Sequence, residues 1–233
     1  LVKVPSTPTY PAEYNPGYTA PVTSTSKSVC ATVNITGATN ASPIVITTAG
    51  HKWVTGQTVI IASVGGNTAA NGTRVVTKIS ATQFSLNGTT GSGTYTSGGT
   101  AACDYSSLQT ALDAEAPAGD VTLYLNQGET YVGTTNTNTF RSGIILPTKT
   151  NTNWTVLRTW PDSNLPSQEF RVGRKHQPYL AKISNGTAGG AAITNNMSCD
   201  ERANYYWIKA VEMVRPIPQA EGGGFECLNG YGA

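Results

Sequence analysis

Apolar and polar positions alternate in short runs through the first half of the chain. VCATVNIT (29–36), PIVITTA (43–49), QTVIIASV (57–64), TRVVTKIS (73–80) and FSLNG (84–88) each read as a strand. Gly37, Gly50, Gly56, the Gly65-Gly66-Asn67 run, Asn71-Gly72 and Asn87-Gly88 punctuate them. Asn71-Gly72 predicts a two-residue type I′ hairpin, because that turn needs two residues tolerant of positive φ. Such close spacing predicts a small antiparallel barrel or sandwich over residues 28–103.

The period changes at DYSSLQTALDAEAPAGD (104–120). Leu108, Ala111, Leu112 and Glu115 recur at helical spacing, and Ser106 with Gln109 has the spacing of a capping box. Pro117 and Gly119 end the helix. Strand patterns then resume at 121–126, 130–133, 143–147, 154–159, 180–185, 191–194 and 205–215. Before all of this lies a segment, 1–27, with five prolines and many Ser and Thr residues. Proline removes ladder donors and fixes φ, so an extended arm or linker is expected there, with Tyr10, Tyr14 and Tyr18 as its only large anchors. Three units result: 1–27, 28–103 and 104–233.

Composition narrows the class. The 233 residues include 35 Thr and 25 Gly but only 12% charged side chains, which disfavours a helical bundle and favours an all-β chain. With 38% apolar residues the chain is not generally disordered. A net charge of +2 gives no field to recruit nucleic acid, and no apolar run spans a bilayer. The chain starts at Leu1 rather than Met, which reads as a processed or trimmed product. Cys30, Cys103, Cys199 and Cys227 contain no CxxC, so zinc is not expected and no cofactor is implied. Their even number suggests two disulfides and an extracellular or cell-surface location; four free thiols are the alternative.

His51 with Thr55-Gly56, GNTAANGT (66–73), TQFSL (82–86) and GTYTSGGT (93–100) stand in order along residues 51–100. With these pieces the segment resembles the small β-barrel module of ubiquitin-activating enzymes, which recurs in bacterial and phage surface proteins. The resemblance implies a fold and no ubiquitin-related reaction. A second resemblance begins with SLQTALDAEAPAGDVTLYLNQGETYVG (107–133) and IILPTKTNTNWTVLRT (144–159), continuing through AKISNGTAGGAAIT (181–194) and YYWIKAVEM (205–213). These residues resemble the N-terminal cap and first coils of a right-handed parallel β-helix of the pectin-lyase type. The implied architecture is a small antiparallel barrel followed by a short, helix-capped parallel β-helix. Three disulfide pairings are open in principle. A compact module brings its ends together, which favours Cys30–Cys103, and Cys199 and Cys227 bracket the last coil strand.

No catalytic residue is assignable. The acidic candidates are Asp162, Asp200, Glu201, Glu212, Glu221 and Glu226, and only Asp200-Glu201-Arg202 is a tight triplet. Arg171, Arg174, Lys175 and His176 form a basic run suited to carboxylate or sulfate groups of acidic sugars, or else a solvated loop. His51 reads as a structural histidine. Between Glu13 and Asp104 there is no acidic residue, so the barrel is locally cationic. Seven N-x-S/T sequons begin at Asn34, Asn40, Asn71, Asn87, Asn153, Asn185 and Asn196, which would make a glycoprotein in a glycosylating pathway. The expected function is a self-associating surface protein of structural or adhesin type that contacts polysaccharide. The alternatives are the N-terminal part of a polysaccharide lyase or glycoside hydrolase, and a phage tail or tailspike component.

Overall fold

The computed structural model describes residues 21–136, 141–165, 174–184, 193–195 and 205–214. The chain is mostly strand. It begins with β1 (Thr25–Val29), whose sequence carries one apolar residue and would not be read as a strand on its own. The boundary expected between residues 27 and 28 therefore falls inside a strand, and the run 29–36 expected as one strand is split between β1 and the next element.

Six strands follow: β2 (Val33–Ala38), β3 (Ile44–Thr48), β4 (Thr58–Ala62), β5 (Gly72–Lys78), β6 (Gln83–Leu86) and β7 (Thr100–Ala102). They close in the order β2-β3-β6-β5-β4-β7, every pair antiparallel. Closure leaves no free edge, as expected for a barrel this small. Period-2 alternation sends Ile44, Ile46, Val59, Ile61, Val76, Phe84 and Leu86 inward around the fully buried Trp53. The Asn71-Gly72 hairpin is not a type I′ turn, because Asn71 has φ −63° and ψ 149°. Its carboxamide instead pairs with Val64, accepting from the amide at 2.9 Å and donating to the carbonyl at 3.1 Å. A side chain does here what a strand neighbour would do.

The barrel's two ends meet at one disulfide. Cys30 and Cys103 are 73 residues apart in sequence, with Cα atoms 5.5 Å apart. Cys199 and Cys227 lie outside the described residues. Helix α1 (Leu108–Glu115) comes next, N-capped by Ser107 without a side-chain bond. The expected capping box is therefore absent. Gln109 is used otherwise, since its carboxamide bonds both backbone groups of Ile145.

The remaining strands stack in parallel. They are β8 (Val121–Asn126), β9 (Thr130–Val132), β10 (Thr134–Asn136), β11 (Arg141–Leu146), β12 (Thr155–Trp160), β13 (Ala181–Ser184), β14 (Ile193–Asn195), β15 (Tyr206–Lys209) and β16 (Val211–Val214). One sheet runs β1-β8-β12-β15, a second β9-β13-β16, and a third β10-β11-β14. All pairings are parallel except β10 with β11. From β8 the chain visits each sheet in turn, returns at β12, repeats the circuit, and starts a third pass at β15. Strands at 121–126, 154–159 and 205–213 thus lie side by side in parallel, as their sequences suggested. The barrel is inserted between β1, the outermost strand of the first sheet, and the helix that precedes β8.

Register makes the interior a set of like columns. Leu123, Leu157 and Ile208 align, as do Tyr131, Ile183 and Met213, and Ile144 with Ile193. Leu108, Ala111 and Leu112 of α1 belong to the same apolar cluster. Burying a Leu in such a cluster contributes roughly 2 kcal/mol. One cation sits at the corner before β12. Lys149 is buried, and its Nζ donates to Thr155 Oγ1 at 2.8 Å and to the carbonyls of Asn153 and Tyr205. It also lies 5.0 Å from the Tyr206 ring centroid. Burial depresses the ammonium from its ordinary 10.5 to about 8.

Candidate functional site

Because Val121, Leu123 and Leu125 point inward, Thr122, Tyr124 and Asn126 point outward. The in-register stack repeats that choice on each strand. Val156 and Trp207 align with Thr122, Arg158 and Lys209 with Tyr124, and Trp160 with Asn126. Trp154 and Tyr205 flank the starts of β12 and β15. Sequence alone scatters these residues; parallel pairing gathers them on one outer face.

The rings form two groups. Trp154 meets Tyr205 edge-on at 5.6 Å and Trp207 at 6.2 Å between centroids. Tyr124 and Trp160 lie 5.1 Å apart. Trp160 and Tyr205 remain 38% and 37% exposed, large for such rings on a sheet face. On the same face, Arg158 lies 5.8 Å from the Tyr124 ring centroid and pairs with Asp162. Lys209 follows Arg158 in the same column, and burial followed by repulsion from Arg158 lowers its pKa. Two cations thus face one carboxylate among rings. Flat aromatic faces suit the C–H faces of sugar rings, and the cations suit acidic substituents.

A second feature lies where barrel and stack meet. Gln57 Nε2 of the barrel donates to Asn126 Oδ1 of β8 at 2.7 Å, and the Ala31 amide donates to Glu129 Oε1 at 2.5 Å. Tyr131 Oη donates to the Val29 carbonyl at 2.6 Å and accepts the Asn126 amide at 2.8 Å. A cleft of about 490 Å³ opens beside these bonds, lined by Ala31, Val33, His51, Lys52, Asn126 and Glu129 among others. Burial raises the Glu129 carboxyl above its ordinary value, against the opposing pull of the Ala31 amide, Asn126 and Lys52. His51 stacks on Trp53 with centroids 5.3 Å apart and meets Phe84 edge-on at 5.1 Å. Its Nε2 lies 3.3 Å from the Gln83 carbonyl, whereas Nδ1 is buried without a partner. Burial lowers its pKa, against the opposing pull of the Gln83 carbonyl.

Arg174, Lys175 and His176 occupy a 3-10 turn, Arg174–Tyr179, leading into β13. Arg174 and Lys175 are exposed there, in front of a different sheet from the aromatic array. Arg171 and the Asp200-Glu201-Arg202 triplet lie outside the described residues. Glu129 and Lys52 were not among the sequence-derived site candidates, since neither sits in a motif. Among the described residues no group of three or more His, Cys, Asp or Glu could hold a metal ion. Nor is any described helix long and apolar enough to cross a membrane. No protein-family model matches the chain, and a search of curated proteins finds no match either.

Proposed function

We propose that this is an extracellular or surface-displayed protein of structural or adhesin type, whose stack holds polysaccharide carrying acidic sugars. The observation that carries the reading is the outer face on which Trp154, Trp160, Tyr205 and Trp207 flank Arg158 and Lys209. In-register rungs repeat about 4.8 Å apart, which suits a repeating polymer. We also infer that the parallel stack is the beginning of a right-handed β-helix of the pectin-lyase type, with α1 as its end cap. Its three-sheet path, its columns of like residues and the shared apolar cluster of α1 support that assignment. The barrel's closed topology supports kinship with the small module named above. Self-association is assigned to the Pro-rich arm before β1.

Binding of a uronic-acid polymer and of its carboxyl-reduced counterpart, measured by affinity electrophoresis and calorimetry, tests the site. Trp160→Ala and Arg158→Ala are each expected to weaken the acidic polymer at least tenfold, and the reduced polymer is expected to bind less tightly. Equal binding by wild type and both variants overturns the reading. For assembly, deleting residues 1–20, which spares β1, is expected to abolish higher oligomers in native mass spectra.

A further inference from the structure

Apart from Asn126, the cleft between barrel and stack is built by residues that the outer face does not use. It is walled by small or apolar side chains, Ala31, Val33 and Ala81, with Lys52 on the barrel side and Glu129 on the turn after β8. Its volume of about 490 Å³ falls in the range of small-molecule sites. Glu129 is fixed before any ligand arrives, because Ala31 on the other side of the neck donates to it. Lys52 is exposed and has no carboxylate within ion-pair distance among the described residues.

Those charges disfavour a ligand that carries a single charge of either sign. An anion near Lys52 would meet the carboxylate of Glu129, and a cation near Glu129 would meet Lys52. A hydroxyl group accepts from an ammonium and donates to a carboxylate, so a vicinal diol serves both walls without a charge of its own. The apolar walls suit the C–H face of the same ligand. Asn126 lines the cleft and is the register partner of Trp160, so the cleft adjoins the aromatic platform. We infer that the barrel–stack cleft is a second binding site, which takes a neutral sugar end group between Glu129 and Lys52. The inference rests on the saccharide reading of the outer face for its ligand class, but the two groups that hold the ligand, Glu129 and Lys52, are not part of that face.

The test is titration of the full chain with neutral mono- and disaccharides, with glycine as a zwitterionic control, followed by amide chemical shifts of Ala31, Lys52 and Glu129. Shifts at these residues with a neutral sugar are expected. Glu129→Ala is expected to weaken that binding at least tenfold, and Ala81→Trp, a change at an exposed rim position, is expected to block it. Trp160→Ala is expected to leave the neutral-sugar shifts in place while weakening the acidic polymer, so the two sites fail independently. Each variant's fold is checked by its thermal transition, and Ala81→Trp carries the test if Glu129→Ala does not fold. No shift with any neutral sugar, stronger shifts with glycine, or unaltered binding in Ala81→Trp overturns the inference.

Discussion

Gln109 pairs with Ile145 as one strand pairs with another: Nε2 donates to the Ile145 carbonyl at 2.9 Å, and the Ile145 amide donates to Oε1 at 2.8 Å. A helical side chain thereby satisfies both backbone groups at one position of β11. Replacing it with Leu keeps the volume but strands a partly buried amide and carbonyl. Gln109→Leu is expected to cost about 1–3 kcal/mol in urea unfolding, with faster hydrogen exchange at Ile145. Stability within 0.5 kcal/mol of wild type, on the order of the usual surface effect, would contradict this role.

The Cys30–Cys103 bridge closes a 73-residue loop. Chain-entropy arithmetic for a loop of that length gives roughly 4 kcal/mol. The double variant Cys30→Ala/Cys103→Ala is expected to lose stability of that order, measured by denaturant unfolding. Hydrogen exchange should accelerate most at the barrel ends, β2 and β7, and least in β8 and β12.

Lys149 makes stability depend on alkaline pH. Its folded-state value, about 8, lies below the ordinary 10.5, so the folded chain binds fewer protons than the unfolded chain between the two. Stability therefore rises with pH across that window, by about 2 kcal/mol between pH 8 and roughly pH 9.5. Above that, Tyr105 and Tyr131, both raised in the fold, act in the opposite direction. Denaturant midpoints measured over the window are expected to climb more steeply for wild type than for Lys149→Met, which keeps the rise that the lowered Lys209 contributes. A level wild-type profile would exclude the effect.

Glu129 acts in acid, with the opposite sign. Its carboxyl is raised by burial, so the folded chain holds a proton that the unfolded chain releases. The associated stability is present below the ordinary carboxyl range and is lost as pH rises through the folded value. Glu129→Gln keeps an acceptor for Ala31 and removes the titration. The difference in melting temperature between variant and wild type is expected to grow in the variant's favour from pH 4 to pH 7. A constant difference would show that Glu129 titrates alike in both states.

Much of this architecture was legible in the chain because burial writes a pattern. VTLYLN and WTVLRT carry the apolar positions that stack, and IVITT and TVIIA alternate as barrel strands must. Three strands were not legible, and one of them, β10, is Thr-Thr-Asn with no apolar residue to mark it. β1 has Val29 alone to mark it, and β7 is Thr-Ala-Ala; both are strands because a neighbour's unpaired edge holds them. Gln109 has the spacing of a cap yet bonds a backbone 36 residues away, which local spacing cannot encode, and Asn71, in a turn sequence, bonds Val64 seven residues back. The outer aromatic face was missed for a related reason. Trp154, Trp160 and Trp207 are neighbours only through register, although aromatic residues at the flanks of successive strands were a readable signal.

The threading of the chain at its first rung has a practical corollary. The segment between Cys30 and Cys103 leaves and rejoins the stack through a gap of 5.5 Å, so it is topologically a pendant on a clasp. Excising it and joining the two cysteine positions through a short turn leaves the strand pairings of the parallel stack in place and removes the Gln57 partner of Asn126. Conversely, any compact unit whose chain ends emerge close together could be grafted there. The stack and its pendant are then free to diversify separately, with the clasp as the exchange point.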